Sequence, residues 1–102
     1  MILTVQVEEE LATEQVRQFH AEAAECVSLY AKKNHDYGNS FSEGFAKLGK
    51  SYAVGRLLDK MNRLIALCGK EETAQVKDET WEDTLRDMAC YSLMTLAELH
   101  KV

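Results

Sequence analysis

Apolar residues recur at steps of three and four along most of this 102-residue chain, and no proline interrupts them. Such steps bring side chains onto one face of an α-helix. A proline inside such a face would break it, and a sandwich or barrel would need more turn residues than the five glycines supply. The spacing therefore predicts an all-α protein.

The first helix is predicted from about Thr13, as N-cap, to Asn34, with Val16, Phe19, Ala23, Cys26, Val27 and Tyr30 on its apolar side. His35-Asp36-Tyr37-Gly38-Asn39-Ser40 breaks it. A second helical region opens near Ser42 with Phe41, Phe45, Leu48 and Tyr52 on one side. Gly49 and Gly55 weaken this region, so a bend or split is expected. The pattern continues through Val54, Leu57, Leu58, Met61, Leu64 and Ile65 to Cys68, with Gly69 suited to the position after the helix. A polar connection, Lys70 to Asp78, leads to a last helix from about Thr80 to His100. Met1 to Val7 alternates weakly and reads as a short strand or an extended arm. With no repeat, low-complexity stretch or linker, residues 1–102 form a single domain, and residues 1–12 its N-terminal arm. The expected architecture is an antiparallel helical bundle of three long helices plus one shorter helix, with a short extended N-terminal arm.

A formal charge of −5 argues against a nucleic-acid polymer as partner, but not against a single nucleotide bound through metal. No apolar run is long enough to span a bilayer, and the N-terminus lacks the basic start and apolar core of a signal peptide. Cys26, Cys68 and Cys90 each lie in an apolar helical stretch without CxxC spacing, so reduced core thiols are expected and a zinc site is not. These features predict a cytoplasmic protein that does not engage a membrane.

Chemistry concentrates in three places. On the last helix Glu79, Asp83, Asp87 and Tyr91 follow one another at steps of four, which stacks three carboxylates on one ridge. Like charges so placed repel, and either a divalent cation or Lys and Arg from neighbouring helices should answer them. Thr80 and Asp83 also have the spacing of a capping box, and acidic residues suit a first helical turn; neither reason reaches Asp87, two turns in. The loop from Lys32 to Ser40 gathers Lys33, Asp36, Tyr37 and Asn39, groups able to bond phosphate, ribose or base. Lysines and a glycine stop at a helix C-terminus explain Lys32, Lys33 and Gly38, but not Asp36 or Tyr37. On the middle helix Arg56, Lys60 and Arg63 could clamp a phosphate or neutralise the ridge; a solvated face is the plainer account. No phosphate loop, nucleophile elbow or Ser/His/Asp arrangement is present.

The order K-N-x-D-Y-G-N-S from Lys33, D-K-M-N-R-L from Asp59 to Leu64, and V-K-D-E-T-x-E-D-T-L-x-D-M-A-x-Y from Val76 to Tyr91 resembles the nucleotide-modification-associated domain family. That family is a small helical domain common in phages and prophages, related to the MazG-like all-α NTP pyrophosphatases. The resemblance, over about residues 13–100, implies an all-α fold, a divalent metal and a nucleotide ligand. Lys33, Asp36, Tyr37 and Gly38 match its loop motif, Lys60 and Arg63 its middle motif, and Glu79, Asp83, Asp87 and Tyr91 its last. Against the pyrophosphatases the chain departs in one respect. Glu22-x-x-Glu25 fits their first acidic helix, but Glu79 to Asp83 is one residue longer than the E-x-x-D of their second.

The resulting expectation is a nucleotide-binding protein working as a metal-dependent nucleoside polyphosphate pyrophosphohydrolase. Glu79, Asp83 and Asp87, with Asp36, would hold magnesium or manganese, and the first three would carry the catalysis. Lys33, Asp36, Tyr37, Asn39, Lys60, Arg63 and Tyr91 would bind the nucleotide. The alternative is a non-catalytic, phage-type binder that sequesters a signalling nucleotide in the host cytoplasm. A third reading is a structural helical module. Trp81, Tyr52, Phe45 and Met94 offer more apolar surface than one small bundle needs, so a homo-oligomer, most simply a two-fold dimer, is expected.

Overall fold

The structure, a computed structural model, describes residues 6–73 and 80–101. Its four α-helices are α1 (Glu14–Tyr37), α2 (Ser40–Leu48), α3 (Lys50–Leu67) and α4 (Trp81–Leu99). One 3-10 turn, Glu9–Leu11, precedes α1 and another, Glu71–Thr73, follows α3, and no strand occurs among the described residues. Of the strand or arm expected over Met1 to Val7, residues 1–5 lie outside the described residues, as does Glu79.

Two glycines mark helix boundaries. Gly38, with φ of 71°, ends α1, and its N–H donates to the Asn34 carbonyl at 2.8 Å. The helix thus runs three residues beyond Asn34, because Gly38 is the first residue able to adopt the left-handed backbone without strain. Gly49, at φ 66°, splits the second helical region into α2 and α3. Gly55 leaves α3 unbroken. Thr13 caps α1 by accepting from the Val16 N–H. At the start of α4, Thr80 Oγ1 accepts from the Asp83 N–H at 3.1 Å, and Asp83 accepts from the Thr80 N–H at 3.3 Å, closing the capping box.

Packing centres on α3 against α4. Trp81 donates its indole N–H to the Leu64 carbonyl at 3.1 Å, which fixes the beginning of α4 on the later turns of α3. Thr84 is fully buried and satisfies its hydroxyl on the Thr80 carbonyl at 2.8 Å. On the other flank α1 meets α4 where the Cys90 thiol approaches the Cys26 carbonyl at 3.7 Å. Phe41 of α2 lies between Tyr52 and Tyr91, its ring centroid 5.4 and 5.9 Å from theirs. Among the described residues the buried apolar core is small: Cys26, Phe41, Ala53, Leu64 and Cys90.

Candidate functional site

The last turn of α1, the Gly38–Asn39 link, the start of α2, and facing residues of α3 and α4 enclose an open cleft of about 500 Å³. Its shape depends on Asn34. The Asn34 amide donates to the Gly38 carbonyl and to Oδ1 of Asn39, each at 3.2 Å. Asn39 occupies the N-cap of α2, yet its side chain is turned to Asn34 and no side chain caps that helix. Ser40, Phe41 and Ser42 therefore line the cleft with an uncapped helix N-terminus, the positive end of its dipole.

Three cations and two carboxylates line the same space: Lys33, Arg56, Lys101, Asp87 and Glu98. Lys33 contacts Oδ1 of Asp87 at 3.2 Å, and Lys60 contacts Oδ2 at 3.1 Å from beneath. Lys101 pairs with Glu98 and donates to the Ser42 hydroxyl at 3.2 Å. Lys101, and after it Ser42, holds the Glu98 carboxyl below the usual carboxylate range. Arg56 lies 5.1 Å from the centre of the Tyr52 ring, and Tyr52 reinforces its charged state. Among the described residues no carboxylate forms an ion pair with Arg56, and its guanidinium lines the cleft on the Tyr52 ring. Tyr37 stands at the rim, three-quarters exposed, while Tyr91 belongs to the aromatic floor.

The expected site residues divide accordingly. Lys33, Tyr37, Asn39, Asp87 and Tyr91 meet in the cleft, and Lys60 reaches it through Asp87. Asp36, Arg63 and Asp83 do not line it. Asp36 is exposed beside His35 Nδ1 at 3.1 Å. Asp83 is held below its ordinary pKa chiefly by the Thr80 hydroxyl, with its capping role as the cause. Glu22, half of the first expected acidic pair, faces Arg86 at 3.6 Å. Of the two answers foreseen for the ridge, the lysines of neighbouring helices are the one seen at Asp87.

No three His, Cys, Asp or Glu side chains gather closely enough among the described residues to hold a metal ion. Both Asp87 oxygens face ammonium groups, and Asp83 faces its own N-cap. Asp83 and Asp87 are thus each engaged by other groups, and Glu79, the remaining member of the expected ridge, lies outside the described residues. Nor is Cys90 suited as a nucleophile, for burial pushes its thiol up to about 11 and keeps it protonated.

Several lining residues were absent from the expected site. Arg56 carried a signal, being one turn before Lys60. Asn34 lay inside the loop motif without being singled out, and Ser42, Tyr52, Glu98 and Lys101 carried no signal, because the meeting of Ser42, Glu98 and Lys101 depends on how the end of α4 reaches the start of α2.

The family model described as nucleotide modification associated domain 1 matches residues 33–99. No curated protein matches the chain, and no solved structure does. The matched stretch begins at Lys33, covers all of α2 and α3, and ends with α4, so it contains nearly the whole cleft. On that match the chain belongs to the nucleotide modification associated domain 1 family.

Proposed function

We propose that the cleft binds a phosphorylated nucleotide and holds it intact. The observation that carries this reading is the meeting of Arg56, Lys33 and the uncapped start of α2 in one cleft with Tyr37 and Tyr91. The first set suits phosphate oxygens, and the rings suit a base. Asn34 and Asn39 supply amide groups of the kind that read ribose or base edges. The family's description is consistent with a nucleotide ligand.

Binding ranks ahead of pyrophosphohydrolysis because the hydrolytic mechanism needs carboxylates free to hold magnesium. Asp87 and Asp83 are engaged elsewhere, and Asp36 is outside the cleft. The kinship with MazG-like enzymes suggested by motif order makes product analysis part of the test. The protein is titrated calorimetrically with nucleoside mono-, di- and triphosphates and cyclic nucleotides, with and without magnesium, and each mixture is chromatographed. Saturable binding with the nucleotide recovered unaltered supports the proposal. Conversion to monophosphate and pyrophosphate establishes the hydrolase instead. Neither heat nor product would leave the structural module.

A further inference from the structure

The polar cleft has an apolar neighbour. A groove of about 210 Å³ lies between α1 and α4. Tyr30, Cys90, Met94 and Ala97 line both spaces, while Cys26, Val27 and Leu93 line the groove alone. Among the described residues no charged side chain lines it, and no residue of α2 or α3 does. The Cys90 thiol is directed at the Cys26 carbonyl, 3.7 Å away, so the groove gives a polar ligand atom little to bond. Val27, Tyr30 and Leu93 nevertheless stand half in water, at 49, 40 and 54% exposed. Their surface gains from an apolar cover.

Volume limits what that cover can be. An apolar cavity of ~150 Å³ takes up benzene, so this groove holds one ring or one branched aliphatic group on a short linker. An α-helix with its side chains is about 10–12 Å across and too wide to enter. The shared walls decide what carries the group. With four residues common to both spaces, a molecule seated in the cleft has the groove beside it. Met94, unbranched and adaptable, stands at the passage. Direction follows from the charges. Arg56 belongs to α3 and the uncapped N-terminus to α2, and both line the cleft but not the groove. A phosphate held there turns the other end of a nucleotide, its base, toward α1 and α4.

We propose that the nucleotide taken by the cleft carries an apolar substituent on its base, about the size of a benzene ring, and that the groove of Val27 and Leu93 holds it. The inference rests on the nucleotide reading of the cleft and adds the class of nucleotide. An unsubstituted base fills the cleft and leaves the groove to water.

Calorimetric titration of the full chain with two pairs of probes tests this. One pair is adenosine 5′-monophosphate and its derivative benzylated on the exocyclic amine; the other is uridine 5′-monophosphate and its 5-phenylethynyl derivative. In at least one pair the ring-bearing member should bind ~10-fold tighter, the effect of removing roughly 60 Å² of apolar surface from water. Leu93→Asp should abolish that gain and leave the affinity of the plain nucleotide unchanged. Leu96→Asp, on α4 but outside the groove, should leave both as they are. Should Leu93→Asp fail to fold by circular dichroism, amide exchange of the wild type decides. Protection at residues 26–30 and 93–97 should then be higher with the ring-bearing probe than with the plain one. Plain nucleotides that bind as tightly as their ring-bearing partners overturn the inference and leave the nucleotide reading standing. So does a gain that survives in folded Leu93→Asp, or added protection that lies elsewhere. Binding of none of the probes overturns the nucleotide reading, and this inference with it.

Discussion

Lys33, near the end of α1, places its ammonium 3.2 Å from Oδ1 of Asp87 in the middle of α4. Lys60 of α3 takes the other oxygen at 3.1 Å. A single carboxylate thus ties three helices together beneath the cleft. The Asp87 side chain is only 21% exposed, and Lys60 is covered to a similar degree, so the pairs are partly shielded from water. Asp87→Asn should lower stability by about 1–2 kcal/mol, less than a fully buried pair because Lys33 remains half in solvent. Urea denaturation without added metal measures it. Unchanged or higher stability would mean that repulsion along the acidic ridge outweighs both pairs.

Arg56 and Arg63 separate two accounts of the middle helix. Arg56 lines the cleft and forms no ion pair with a carboxylate among the described residues; Arg63 does not line it. If a nucleotide phosphate enters, Arg56→Ala should weaken binding by about 1.5–3 kcal/mol, the usual worth of a hydrogen bond to a charged group. Arg63→Ala should change it by less than about 0.5 kcal/mol. Calorimetric titration of both variants gives the order, and the reverse order would move the ligand off the Arg56 side of the cleft.

Thr80 and Asp83 share a cap whose strength depends on pH. Thr80→Ala should cost about 1 kcal/mol at neutral pH, in the range of a lost N-cap. The folded state lowers the Asp83 pKa below its ordinary 3.8. A depressed carboxyl contributes stability above the unfolded value, and that contribution disappears as pH falls through the folded one. The difference between wild type and Thr80→Ala should therefore shrink below pH 3.8. A gap that stays constant in acid would show that the Thr80 hydroxyl works through the backbone N–H alone.

What could be read from the residues was whatever local periodicity and turn chemistry decide. The apolar steps located the helical regions, Thr13 and Thr80 were recognisable as caps, and a bend or split was expected at Gly49 or Gly55, of which only Gly49 divides the helix. The end of α1 was placed early because the polar residues His35 and Asp36 resemble a loop, yet only Gly38 has the backbone freedom to stop the helix. The cleft was half legible. Lys33, Tyr37, Asn39 and Tyr91 lie in motifs dense with polar groups. Lys101 and Glu98 look like any helix end until α2 is brought beside them. The acidic ridge is half legible for the same reason: sequence spacing reveals the capping box of Thr80 and Asp83, but not that Asp87 faces two lysines from distant segments.

Gly44 tests how firmly the aromatic floor sets the cleft. It lies inside α2, where alanine would ordinarily add about 1 kcal/mol of helix stability. A Cβ at this position, however, would overlap the tip of the Tyr52 ring, coming within 2.6 Å of Cε1. The ring is flanked by Phe41 at 5.4 Å and by Arg56 at 5.1 Å, so it cannot swing away without losing both contacts. Overpacking of this kind costs about 1–3 kcal/mol, enough to outweigh the propensity gain. Gly44→Ala should thus be destabilised by roughly 1 kcal/mol net, and it should also bind nucleotide more weakly because Arg56 loses its support. Shortening the opposing side chain removes the overlap, so Gly44→Ala combined with Tyr52→Leu should be more stable than the sum of the two single losses by at least about 1 kcal/mol. Additive losses in that double-mutant cycle would mean that α2 moves as a body to admit the methyl group, and that the cleft is softer than the packing of Gly44 on Tyr52 implies.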